Sequence, residues 1–136
     1  MTQLATNIFY YGYTAMLLGV GASGIFIAQW ELSRLFAVDL AGMGSEPAAT
    51  LLTQYRFLKS TELVFGLFCW LFRHAIFAGG EARRLFFIGL FGGVGARLFS
   101  LITDGRPHWI FLLFAALELI CGLLMLALGP QRGRAT

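Results

Sequence analysis

Arg97 and Glu118 each lie inside a long apolar stretch, one on either side of the polar turn Asp104-Gly105-Arg106-Pro107. Arg56, Lys59 and Glu62 recur at three-residue spacing in a third stretch whose second half, LVFGLFCWLF, is wholly apolar. An arginine fork holds carboxylates and phosphates, so Arg56 and Arg97 are candidate contacts for an anionic head group. A carboxyl in apolar surroundings suits proton transfer, which makes Glu118 and Glu62 the candidate acid–base residues. With Asp104, these residues form the candidate ligand site. No metal-ligand cluster, nucleophile–base pair or phosphate loop accompanies them, and the sequence implies neither a metal nor a cofactor.

The elements that must carry these charges follow from composition. The chain has 136 residues, 58% hydrophobic and 12% charged, with a mean hydropathy of +0.76. Soluble domains carry about 25% charged residues. One membrane domain over residues 1–136 is therefore expected. The net charge of +3 comes from ten Lys/Arg against seven Asp/Glu. In an apolar chain that excess reads as topology, and nothing resembles a basic, aromatic-interleaved nucleic-acid surface. Cys69 and Cys121 lie in apolar runs without metal or redox spacing and read as packing residues.

Four transmembrane helices are expected, over residues 8–30, 48–72, 82–103 and 108–128. About 20 apolar residues cross the roughly 30 Å of hydrocarbon. Tyr10, Tyr11, Tyr13 and Trp30 read as interfacial anchors of the first. Gly12, Ala15, Gly19 and Ala22 give it a small-residue packing face, and Gly89 with Gly93 does the same for the third. The outer loop, residues 31–47, holds either an amphipathic helix over 33–40 or an ordinary linker. Gly105 permits a positive φ, and Pro107 suits the first position of the last helix. Gly129-Pro130 stops it.

Four spans place both termini on one side, with Arg73, Arg83, Arg84, Arg132 and Arg134; Arg34 and Arg106 hold the other. The positive-inside rule makes the first side cytoplasmic. The expected fold is thus all-α, an antiparallel four-helix bundle in an inner membrane. Arg56, Glu62, Arg97 and Glu118 then fall in one outer-half region, rimmed by Asp104. Lys59 reads as snorkelling outward to head groups. An unpaired charge at mid-bilayer costs about 2.5–3.5 kcal/mol on insertion scales, so the deeper charges turn inward, Arg97 towards Glu118 or Glu62. They act as locks between helices, as the lining of an outward-facing pocket, or as contacts to a partner subunit.

The pair Tyr55-Arg56 with Gly66, and above all the run GARLFSLITDGRPHWIFLLFAALEL over residues 95–119, resemble a bacterial family of small four-helix membrane proteins in the wider DoxX-like group. The resemblance implies an antiparallel four-helix bundle and membrane residence, and it supplies no reaction. Distant members of that group are linked to quinone-coupled oxidoreductases, and similar folds bind sterol-like lipids. Three functions are compatible with the residues. One is a pocket for a lipid, quinone or small amphiphile. Another is an accessory subunit of a larger membrane complex, docked through glycine faces or as a homo-oligomer. The third is a small enzyme using Glu118 or Glu62. The partners expected are membrane lipids and other membrane subunits, not nucleic acid.

Overall fold

In lipid, a backbone must satisfy its own N–H and C=O groups, and an apolar chain does so locally by becoming helical. The computed structural model describes residues 2–130, and all regular structure among them is helical. The tail QRGRAT, with the Arg132 and Arg134 of the topology argument, lies outside the described residues. Helix α1 is Thr2–Trp30, α2 Ser45–Leu71, α3 Arg73–Ala78, α4 Glu81–Thr103 and α5 Trp109–Leu128. Three stretches are long and apolar enough to cross a membrane: Gln3–Leu35, Glu81–Thr103 and Trp109–Leu128. At most 33% of the residues in their apolar windows are buried within the protein. Side chains such as Phe26 and Ile102 are exposed, as is usual for membrane helices. The chain is a helical membrane protein. Helix α2 has 27 residues, about 40 Å at 1.5 Å per residue, and its length would suffice. Its charges keep it out of the apolar class.

Helix α1 bends at Ile27, where φ is −103° and ψ 20°, and continues into a π-helical turn, Glu31–Leu35. The amide of Phe36 closes that turn on the Glu31 carbonyl at 3.0 Å. Ala37 then takes a φ of +55°, which ends the helix. The amphipathic helix considered for residues 33–40 is thus only the end of this turn. The short α3 was not expected, because RHAIFA reads as connection; Gly79 and Gly80, both at positive φ, separate it from α4. Pro107 lies two residues ahead of α5 rather than at its first position, with His108 as the N-cap.

The described chain falls into two compact units. In the unit Ala15–Leu67, α1 and α2 run antiparallel along a seam. Leu17, Gly21, Gly24, Ala28 and Glu31 supply one side, at alternating four- and three-residue steps, and Tyr55, Lys59, Leu63 and Gly66 the other. A Cβ on Gly21 would lie 2.6 Å from the Leu63 amide nitrogen, and one on Gly66 would meet Leu17 and Leu18 at 3.0–3.1 Å. The expected small-residue face therefore lies on the side of α1 opposite the seam. Gly12 and Gly19 have no heavy atom within 4 Å of a Cβ direction, whereas Gly21 and Gly24 make the close approach. Beyond the seam, Ala28, Leu32 and Tyr55 form a core closed by Phe36, Val38, Leu40, Leu51 and Leu52.

The unit of Met1–Thr14 with Phe68–Thr136 packs around Tyr10, Phe86, Ile76, Leu90 and Met125, with the two thiols, Cys69 and Cys121, equally buried. Tyr10 and Tyr13 are buried, so of the three tyrosines only Tyr11 stays exposed as an anchor. The Tyr10 hydroxyl donates to the Cys69 carbonyl at 2.7 Å, and its ring meets Phe77 edge-on at 4.9 Å. Arg83, counted above as a loop charge, is buried. It donates to the carbonyls of Ile76 and Met125 and lies 5.1 Å from the Phe87 ring centre. One guanidinium thereby ties α3, α4 and α5 together through carbonyls near helix ends that lack intrahelical partners.

Candidate functional site

Within the unit containing α4 and α5, the two mid-helix charges meet. Arg97 donates through Nη1 to the Glu118 carboxylate. The glutamate side chain is 6% exposed and the arginine 29%. Gly93, one turn before Arg97, borders the pair: a Cβ there would stand in ordinary contact, 3.7 Å from Glu118 Oε2 and 3.8 Å from Arg97 Nη1. Gly122, one turn after Glu118, lets Leu90 and Phe91 approach to 2.7–2.8 Å of its Cβ direction, so α4 packs closely on α5 beside the pair. Asp104 lies at the C-terminal cap of α4, its amide bonded to the Ser100 carbonyl and its Oδ2 accepting the Ser100 hydroxyl, both at 2.8 Å. Its carboxylate closes a local turn.

Within the unit Ala15–Leu67, Lys59 is only 4% exposed, so it does not snorkel. Its stem fills the space over Gly24, where a Cβ would come within 2.5 Å of Cδ. Its ammonium lies 2.9 Å from Glu62 Oε2 and 5.1 Å from the Tyr55 ring centre. Tyr55 in turn donates to Glu31 Oε2 at 2.6 Å. Glu31, Tyr55, Lys59 and the half-buried Glu62 thus form a polar cluster between the π-helical turn and α2. Sequence reasoning had assigned Glu31 to the loop. Its signal was its place directly after Trp30, where the helical pattern continues.

Arg56 points the other way, to the exposed side of this unit. Its Nε donates to the Ile25 carbonyl at 3.2 Å, a group near the α1 bend at Ile27. There Arg56 lines an open surface groove of about 480 Å³ with Phe26, Ile27, Gln29, Trp30, Ser33 and Arg34, all of them exposed. Arg34 was not among the expected site residues. It read as a charge of the outer loop, and only the π-helical turn brings it into register with Trp30 and Gln29.

Of the expected site residues, Arg97 and Glu118 are therefore paired with each other, Glu62 with Lys59, Asp104 with Ser100, and Arg56 lines a groove. Among known families, the sequence model described as "Domain of unknown function (DUF4345)" matches residues 5–128. No curated protein and no solved structure matches the chain.

Proposed function

The chain belongs to the family of the domain of unknown function DUF4345, and we propose that it binds an amphiphile (a lipid, quinone or similar molecule) in the groove at Arg56. The reading takes α1, α2, α4 and α5 as four crossings of one antiparallel bundle in a bacterial inner membrane, within the wider DoxX-like group. Both termini are cytoplasmic and Trp30 stands at the outer interface.

The observation that carries the binding role is the groove's lining. Phe26, Ile27 and Trp30 offer a wall for hydrocarbon, while Gln29, Ser33, Arg34 and Arg56 offer hydrogen bonds to a head group. Arg97–Glu118 joins α4 to α5 in this reading and Lys59–Glu62 is closed within α2, because each carboxylate already accepts from a cation. A buried pair of this kind is worth more as a register device than as net stability.

Gentle purification followed by native mass spectrometry tests it. The wild type retains about one amphiphile per chain, and Ser33→Trp, which places an indole in the groove, lowers the occupancy severalfold. A wild type that carries none, or a Ser33→Trp variant that carries as much, contradicts the binding role.

A second reading, an accessory subunit, draws on Gly92 and Gly95, which have no heavy atom within 4 Å of a Cβ direction and offer α4 a close-packing face. It predicts a stoichiometric protein partner in the same spectra, lost in Gly92→Leu.

A further inference from the structure

The groove's polar groups are not balanced in charge. Two of its seven lining residues are arginines, two are neutral hydrogen-bonding residues, and none is acidic. The acids of the same unit are largely engaged elsewhere. Glu31 accepts from Tyr55, Glu62 from Lys59, and Asp39 Oδ1 from the Gly42 amide at 3.0 Å. Arg56 uses its Nε on Ile25. That contact fixes the side chain while its two terminal nitrogens keep their donors. Two forks on one groove, with no carboxylate in the lining, complement an anion, and phosphate oxygens fit that geometry in bidentate fashion.

The positions of both arginines are set from behind. Arg34 stands in the π-helical turn whose first residue, Glu31, is held on the buried side by the 2.6 Å bond from Tyr55. Arg56 is the residue after Tyr55, so one buried hydrogen bond sets the rotation of both segments that present a guanidinium. The same groove offers Phe26, Ile27 and Trp30 to an acyl chain, on a helix that is long and apolar enough to lie in a membrane.

We infer that the occupant is a phospholipid with an anionic head group, its phosphate held between Arg34 and Arg56. This rests on the amphiphile-binding reading and narrows it. A zwitterionic lipid would bring an ammonium that no carboxylate of the groove receives, and a quinone would leave both guanidinium groups without an anionic partner.

The test titrates the purified full chain in detergent with phosphatidylglycerol, phosphatidylcholine and decylubiquinone, reading binding by native mass spectrometry. Phosphatidylglycerol is expected to bind about tenfold more tightly than phosphatidylcholine, whose ammonium meets two guanidinium groups and no carboxylate. R34Q and R56Q each lower that preference several-fold, and the double variant abolishes it. R84Q, which removes an exposed arginine paired with Glu81, leaves it unchanged. Both groove arginines are exposed, so helicity and elution volume of the double variant match the wild type.

A preference for phosphatidylglycerol that is absent, or that survives R34Q/R56Q, overturns the inference. If decylubiquinone binds instead and Ser33→Trp removes it, the amphiphile reading stands and the anionic one fails. If none of the three binds, both fail.

Discussion

At the scale of single residues, the informative groups are those whose partners are buried. Removing the Tyr55 hydroxyl leaves Glu31 buried without its donor, and an unsatisfied polar group of this kind costs about 1–3 kcal/mol. Tyr55→Phe is therefore expected to lower the unfolding midpoint of the purified protein, with Glu31→Gln milder because an amide still accepts. Arg97 and Glu118 behave as a pair. Each of Arg97→Gln and Glu118→Gln destabilises, and the double variant loses less than the sum by about 1 kcal/mol, since removing both partners strands no charge. The partial exposure of Arg97 keeps that coupling modest. Additive losses in an unfolding titration would show that the contact carries no energy. If Glu118→Gln also leaves amphiphile occupancy unchanged, the glutamate is structural. The pairing of Arg97 with Glu118 was legible in the sequence because both sit deep in apolar runs on successive helices, where lipid penalises a lone charge. The orientation of Lys59 was not. A three-residue spacing puts Arg56, Lys59 and Glu62 on a drifting stripe, and only contact with Gly24 settles that Lys59 turns inward and Arg56 outward.

At the scale of elements, glycine positions decide which faces touch. A Cβ on Gly21 collides with backbone of α2, so Gly21→Leu is expected to separate the α1–α2 seam and to lower the melting temperature by several degrees or prevent purification. Gly19→Leu, with open space at the same helix, is expected to leave the melting temperature within about a degree of wild type. Equal effects of the two, in parallel thermal melts, would contradict the seam. The long helices were legible from length and hydropathy, and the stop of α5 from Gly129. The face of α1 was not, because small residues occur on two of its sides, and Gly19 and Gly21, two residues apart, point to opposite sides of the helix. The α3 helix escaped notice because six residues between Arg73 and Gly79 carry too little pattern. The π-helical turn escaped because composition from Glu31 onward reads as loop, and with it went Arg34.

At the scale of the whole molecule, the topology we propose has the groove at the outer membrane interface and both termini on the cytoplasmic side. The basic residues supporting that orientation include Arg73 and Arg84, which stand near helix ends, whereas Arg83 turned out to be spent on buried carbonyls. Single cysteines introduced at Gly44 and at Gly80 in a background without Cys69 and Cys121 are expected to react with an impermeant maleimide from opposite sides, Gly44→Cys from outside. Labelling of both from one side would remove the fourth crossing, α2. The central claim is that the groove lined by Arg34 and Arg56 holds an amphiphile. A phosphatidylglycerol analogue with a photoreactive acyl chain, activated in membranes containing the protein and followed by peptide mapping, tests it most directly. The predicted result is crosslinking concentrated on residues 26–34 and around Arg56, competed away by unlabelled phosphatidylglycerol. Label spread evenly over the exposed faces of α4 and α5, with no competition, would contradict it.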